Sequence, residues 1–297
     1  MEDKRIIIGT HSDSFHADDV YAVAILATLN PNYEVIRSRD NELLKSKCDY
    51  IVDVGGVYQP EEKIYDHHFN DSPSYDDNLP MSSVGLVWKH YGMLLCDDNR
   101  DVFDRVLLKF IKPLDANDSG VNLVTADNPY NLIEPTVSDI ISIMNFSSED
   151  IDKAFNIEVK RAILVLSTVI KAAQVWVKAK TVVYKAYQNA KENNQRFLEV
   201  PENCIWKEHL LEFDPKGEIL YVIYNHNNSW KIKTVPVSAN SFESRKLLPV
   251  SWAGLRDSEL SEVIGVSDAT FCHPSLFICG AMSRDSILKM VEKAVLA

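Results

Sequence analysis

Cysteine, basic charge and long apolar runs are all scarce in this 297-residue chain, and each shortage argues against a class of protein. The five cysteines (Cys48, Cys96, Cys204, Cys272 and Cys279) are odd in number, scattered and never spaced as Cys-x-x-Cys. They fit neither a disulfide framework nor a zinc knuckle, and read as reduced thiols of a cytoplasmic protein. Lys and Arg number 31 against 43 Asp and Glu, a net charge of -12. A protein that coats nucleic acid non-specifically needs many cationic contacts to phosphate, so that role is disfavoured, although a local basic groove is not. No apolar run of about 18 residues suggests a membrane span, and no repeat or low-complexity tract is present. Met1 lies a few residues before the first predicted strand, so no signal or transit peptide is expected.

What is present is the composition of an ordinary globular enzyme, with 46% apolar and 25% charged residues. The length suits one large domain or two ordinary ones. Strands are expected at 5–8, 33–37, 49–54 and 63–65. Helices are expected from Asp18 or Asp19 to Leu29, from about Asn41, from Ser82 to His90 closed by Gly92, and over 97–109. This alternation predicts an α/β fold with a doubly wound, mostly parallel sheet over residues 1–150.

Between Ile151 and Arg196 two apolar seams run at helical spacing, one through Val159, Ile163, Leu166, Ile170, Ala173 and Val177. The other runs through Val165, Val169, Ala172, Trp176, Ala179 and Val183. A helix apolar on two sides packs on both, so 151–196 reads as a long connecting helix or helix pair. Its nine Lys or Arg against three Asp or Glu suit a solvated face or the wall of a basic groove. Residues 197–297 read as a smaller α/β lobe, with a polar turn at 225–229 between two strands and a last helix from about Ser283.

Three distant segments carry the chemistry: Gly9-Thr10-His11-Ser12-Asp13-Ser14-Phe15-His16-Ala17-Asp18-Asp19, Val52-Asp53-Val54-Gly55-Gly56 and Tyr65-Asp66-His67-His68. Each follows a β-branched or apolar run, so each falls where a strand ends, and strand ends of an open α/β sheet gather ligands along one edge. Four of the eight histidines lie here, each with an Asp within two residues. Mixed imidazole and carboxylate ligands suit Mn2+, with Mg2+ the other ion open to the site. His11, His16, Asp18, Asp53, His67 and, from Leu114-Asp115-Ala116-Asn117-Asp118, Asp115 make six candidate metal ligands. That is enough for two ions, with Asp53 the natural bridge. Two ions about 3.5–4 Å apart activate water for in-line attack on a phosphate ester or anhydride. Asp53 joins Asp66 and His68 as the catalytic set, Asp66 orienting an imidazole and His68 bonding the phosphate or protonating the leaving group.

Candidate phosphate contacts outside this core are Arg37, Arg39, Arg245 with Lys246, and Arg256, because the guanidinium fork matches phosphate oxygens. Each reads equally as an ion pair, with Asp40 and Asp257 as neighbours. Ser82 and Ser83 open a helix and either present N–H groups to an anion or simply cap it. Trp206, Trp230 and Trp252 are candidates for base stacking or for the core.

At these motifs the chain resembles the DHH phosphoesterase superfamily and, within it, the melanocyte-proliferating-gene (Myg) family. The resemblance runs through GTHSDSFHADD, RSRD at 37–40, VDVGG, YDHH, SSVGL at 82–86, LDANDSG at 114–120, GLRD at 254–257 and the closing FICGAMSRD. It implies a metal-binding domain, a smaller substrate-binding lobe and a site in the cleft between them. The same six residues would bind Mn2+, with His68 as catalytic partner. Family members are described as 3′–5′ exoribonucleases, so the expected substrate is single-stranded RNA or a short oligonucleotide. Departures are His16, usually Asp in the wider superfamily, Ala17, often Cys, and Cys279-Gly280-Ala281, where the family shows Gly-Gly-His. The alternatives are a small-molecule phosphohydrolase acting on pyrophosphate or a dinucleotide, and a metal- or nucleic-acid-binding protein without turnover. A homodimer is one assembly open to it, and no membrane partner is expected.

Overall fold

A computed structural model describes residues 4–123, 130, 133–146 and 149–297. The chain divides into two compact units, Met1–Gln174 and Val175–Ala297.

The first unit is built on five strands: β1 Ile6–Thr10, β2 Tyr33–Arg37, β3 Tyr50–Val52, β4 Tyr58–Gln59 and β5 Ile64–Tyr65, in the order β2-β1-β3-β5-β4. Four are parallel, and only the edge strand β4 is antiparallel. The chain leaves β1 through α1 (Ala17–Leu29) to reach β2, then returns past β1 through α2 (Asn41–Lys47) to β3. Right-handed crossovers in opposite directions put the two helices on opposite faces, as a doubly wound sheet requires. Leu44 of α2 packs on Ile51, Val54 and Ile64 on its face. On the other, α1 is buried from Ala17 to Ala27 and packs along α3 (Ser83–Leu95).

Several expected boundaries shift for physical reasons. Neither Asp18 nor Asp19 caps α1. The cap is His16, whose backbone N–H donates to Asp19 Oδ1 at 3.0 Å. Gly92 does not close α3 but lies inside it, because a Cβ there would strike the rings of Trp88 and Phe103. The helix expected over 97–109 runs from Arg100 to Asp118 as α4 (Arg100–Val106), a π turn (Leu107–Ile111) and α5 (Lys112–Asp118). The π turn accommodates Pro113, which lacks an N–H. α6 is Val137–Met144.

α7 runs from Ile151 to Glu192 as one helix, and the division between the two units falls within it. Its two apolar seams are not both buried along its length. Val159, Leu166, Ile170 and Ala173 are buried in the first unit, and Ala179, Val183, Tyr187 and Ala190 in the second, while Val165 and Val175 are exposed. Contrary to the expectation from composition, α7 contains an 18-residue window, mean hydropathy 1.5, long and apolar enough to cross a membrane. Core helices meet the same criterion, and α7 supplies core residues to both units.

The second unit carries a sheet in the order β6-β7-β8-β10-β9, from β6 Phe197–Glu199, β7 Tyr221–His226, β8 Ser229–Thr234, β9 Ala269–Cys272 and β10 Ile278–Ala281. Only β6 and β7 are parallel, so this lobe is mixed and mainly antiparallel. Asn227 and Asn228, both with positive φ, make the two-residue turn between β7 and β8. One face is covered by α9 (Asp257–Ile264) and α10 (Arg284–Leu296), the other by the end of α7 and α8 (Lys207–Phe213). Cys279 and Ala281, in the segment that departs from the family pattern, point into the core, and all five cysteines are free thiols.

Candidate metal centre

Because β1, β3 and β5 are adjacent and parallel, the residues that follow them stand side by side: His11, Asp53, and Asp66 with His67. Asp53 is left-handed, with φ 58, a conformation Asp tolerates better than most residues and one that marks functional turns. The next glycines, Gly55 and Gly56, also have positive φ, and the turn they make aims the Gly56 N–H at Asp66 Oδ2, 2.5 Å away.

Asp53 divides its two oxygens. Oδ2 lies 3.2 Å from His11 Nε2 and Oδ1 lies 3.1 Å from His67 Nε2. His11 Nδ1 is 2.9 Å from the Ser12 carbonyl, so with the proton there its Nε2 lone pair faces Asp53 and Asp19, the latter at 3.0 Å. Lone pair against carboxylate is tenable only with a proton or a metal cation between them. Burial alone would lower the His11 pKa, but the Asp19 and Asp53 carboxylates push it up to about 10. His67 Nε2 also has Asp118 Oδ2 at 3.4 Å and Asp18 Oδ2 at 3.7 Å, and makes no hydrogen bond among the described residues.

Among the described residues, donor atoms within 4.8 Å of one another fall into three overlapping groups: His11, His16 and Asp53; His16, Asp18 and Asp118; and Asp53, Asp66, His67 and His68. His16 belongs to two of them, as does Asp53. Both oxygens of Asp18 are buried without a hydrogen-bond partner among the described residues, as is Asp19 Oδ2. Such acceptors are costly to bury unless something positive meets them. Burial, then the charges of Asp53, Asp118 and Asp19, hold the Asp18 carboxyl well above the usual range. Burial likewise raises Asp118, against the relief offered by the His67 charge and with a smaller push from Asp53. This donor set, oxygens and imidazoles with unmet acceptors and crowded negative charge, fits divalent cations.

Asp115, expected as the sixth ligand, is not in these groups. Its Oδ1 accepts from Ser82 N, Ser82 Oγ and Gly85 N at 3.1, 2.7 and 3.1 Å, and Oδ2 from the Tyr75 hydroxyl at 2.6 Å. It is the anion at the N-terminus of α3, and Gly85 is required because a Cβ would collide with that carboxylate. Asp118, one helical turn on, takes the place beside His67. The spacing Asp115-x-x-Asp118 puts both acids on one side of a helix, which was the available signal, but does not tell which one faces inward.

Asp66 is buried, and its Oδ1 accepts from His67 N, His68 N and His68 Nδ1, the last at 2.8 Å. Burial would raise its pKa, but the His68 imidazole and the Gly56 and His68 N–H groups bring it below the usual carboxylate range. Asp66 in turn raises the pKa of His68, whose side chain is 61% exposed.

The proposed phosphate contacts are largely engaged elsewhere. Ser82 Oγ is bonded to Asp115, and Ser83 Oγ to Asp53 Oδ1 at 3.0 Å. Arg37 is held by Asp152 at 2.7 Å and by the Asp13 carbonyl at 2.6 Å, with the Phe155 ring 4.7 Å away. Arg245 is locked to Asp214 at 2.6 Å and to the Ile219 carbonyl, and Lys246 to the Val295 carbonyl. These are structural contacts, not a phosphate grip. Arg39 is exposed and 3.4 Å from Asp13 Oδ2, and Arg256 is an exposed residue at the start of α9. Trp206 and Trp252 are core residues, and Trp230 packs partly against the core. Beside His16, Asp18 and Asp118, a cavity of about 360 Å3 is lined by Asn117 of α5 and by Ser138, Asp139 and Ser142 of α6.

The MYG1 exonuclease family model, described as an uncharacterised protein family (UPF0160), matches residues 7–295. The MYG1 exonuclease of Homo sapiens is 33% identical over 325 residues, spanning 96% of this chain and 84% of its own. A MYG1 protein of Schizosaccharomyces pombe is 32% identical over 319 residues, spanning 97% of each. Among solved structures, a pGpG-specific phosphodiesterase of Vibrio cholerae is distantly alike, at 15% identity and a TM-score of 0.34 over 98% of this chain and 97% of that one.

Proposed function

Because this chain belongs to the MYG1 family, we propose that it is a metal-dependent hydrolase that removes nucleotides from the 3′ end of RNA or short oligonucleotides. Two Mn2+ ions would be held by His11, His16, Asp18, Asp53, His67 and Asp118. The observation that carries this reading is the split of Asp53, one oxygen toward His11 and the other toward His67, amid buried acceptors that nothing else satisfies.

When bound, the ions supply Lewis acidity that activates water and offsets charge on the attacked phosphate. The protein does the rest. The Ser12 carbonyl holds a proton on His11 Nδ1 and leaves Nε2 for ligation. Ser83 fixes the rotation of the Asp53 carboxylate. Asp66 accepts from His68 Nδ1, so that Nε2 is the atom that can carry a proton to the departing oxygen.

The experiment is an assay of purified protein with Mn2+ on 3′- and 5′-end-labelled RNA, a dinucleotide and pyrophosphate, with metal content measured in parallel. Stepwise release of nucleoside monophosphates, abolished by Asp53→Ala and His67→Ala, is the expected result. Turnover surviving both substitutions overturns the proposal, and cleavage of pyrophosphate alone replaces it with a small-molecule phosphohydrolase.

A further inference from the structure

The second unit has a cavity of its own, about 370 Å3, over one face of its sheet. That volume lies in the range of small-molecule sites. Its walls combine two aromatic rings, Trp206 and Tyr224, with the side chains of Lys231, Lys233 and His226. Strand alternation makes the lysines neighbours: they flank Ile232 on β8, and Ile232 is buried in the core on the opposite face. Tyr224 of β7 stands directly across from Lys231 in the register of the hairpin.

The lysines are the unusual part. Acids outnumber bases in this chain, and two of its inward-drawn guanidinium groups are matched: Arg245 with Asp214, Arg37 with Asp152. Lys231 is half-buried, yet among the described residues it has no carboxylate partner, only the Phe271 ring 4.8 Å away. Burial lowers its pKa, as expected of an ammonium group without a counterion. Lys233, exposed at the cavity rim, also has no acidic partner among the described residues. Glu202, adjoining the rim in sequence, is taken by His226 Nδ1 at 3.2 Å and by the Asn227 N–H at 3.1 Å. Paired ammonium groups call for an anion with oxygens to share, and the half-buried Tyr224 ring, with the edge of the core residue Trp206 beside it on the cavity wall, suits a planar ring.

We infer that this cavity binds a nucleoside monophosphate, its base against Trp206 and Tyr224 and its phosphate between Lys231 and Lys233. The binding is independent of the metal centre. Only its contribution to turnover rests on the proposed oligonucleotide substrate, for which it would hold one nucleotide of the chain.

The test titrates 5′-AMP, adenosine and inorganic phosphate into full-length protein in EDTA, followed by tryptophan fluorescence and equilibrium dialysis. AMP is expected to bind more tightly than either part alone. Lys231→Met with Lys233→Met is expected to weaken AMP by about tenfold or more, while Lys231→Arg with Lys233→Arg retains it. Asp53→Asn should leave AMP binding unchanged even though it removes turnover. AMP binding equal to that of adenosine, or unaffected by the Met pair while circular dichroism shows an intact fold, overturns the inference. Loss of all hydrolysis with this binding intact would overturn the proposed function and leave this site standing.

Discussion

Ser83 and Asp53, thirty residues apart, meet where α3 begins: the serine hydroxyl donates to Asp53 Oδ1 at 3.0 Å, and both residues are buried. A carboxylate with a fixed rotation presents its two oxygens in fixed directions. Ser83→Ala is therefore expected to weaken Mn2+ binding by roughly 10- to 100-fold, the usual effect of removing an outer partner of a ligand. The cost to stability should be about 1 kcal/mol. Calorimetric titration with Mn2+, beside urea unfolding, checks both, and unchanged Mn2+ affinity refutes the positioning role.

Asp18 makes the opposite kind of prediction. In metal-free protein its buried, unpartnered carboxylate is repelled by Asp53, Asp118 and Asp19. Asp18→Asn removes that repulsion and is expected to raise stability in EDTA by ~1–3 kcal/mol. With Mn2+ added, wild type should gain stability and the variant should gain much less. Thermal melts with and without Mn2+ read this directly. A variant less stable than wild type in EDTA, with a full Mn2+ response, would contradict a metal role for Asp18.

Arg37 separates structure from substrate binding. Its guanidinium joins β2 to Asp152 on α7 and to the Asp13 carbonyl, between the rings of Phe15 and Phe155. Arg37→Met is expected to destabilise the protein by about 1–2 kcal/mol, because it removes a buried guanidinium that bonds the Asp13 carbonyl and the exposed carboxylate of Asp152. The KM for oligonucleotide should stay near wild type. A raised KM at unchanged stability would restore Arg37 as a phosphate contact.

The sequence revealed most where a local cause acts. β2 was read residue for residue, and α2 starts where Asp40 supplies its cap, accepting from the N–H groups of Glu42 and Leu43. The gathering of His11, Asp53 and His67 was legible because strand ends in a parallel sheet share an edge. Long-range pairings were not. Nothing near Arg37 announces Asp152, 115 residues away, and nothing near Arg245 announces Asp214. The two-residue β4 and short α8 and α9 carry too little periodicity to be seen. Asp19 reads from the sequence as a helix cap, whereas its Oδ1 accepts from the backbone N–H of His16 and its Oδ2 lies 3.0 Å from His11 Nε2 with no hydrogen bond among the described residues.

Asp115 gives a pH signature. Burial raises its carboxyl to about 6, against the pull of Tyr75, Ser82 and Gly85, which favour the ionised form. The unfolded chain gives up this proton near pH ~4, so between about 4 and 6 the unfolded state ionises first. The folded form is thus favoured by this group below that window and loses on the order of 3 kcal/mol as pH rises through it. Asp115→Asn cannot ionise, so its stability relative to wild type should improve from pH 4 to pH 7. Urea unfolding in EDTA at both values tests this, and parallel pH dependences would remove Asp115 from the account.

His68 and Asp66 set the alkaline side of activity. The Asp66 carboxylate, 2.8 Å from His68 Nδ1, holds the imidazole pKa above its ordinary value, so more of it is protonated at neutral pH and able to supply a proton to the leaving oxygen. Asp66→Asn removes the negative charge and sets an amide against the Gly56 N–H that Oδ2 now accepts. The His68 pKa should fall, and the alkaline limb of the kcat–pH profile should move to lower pH, so that kcat at pH 8 drops more than kcat at pH 6. Measured with saturating Mn2+ and substrate, the shift should vanish when His68→Ala is combined with Asp66→Asn, because no proton donor is then left to tune. A shift that persists in the double variant would assign the limb to another group.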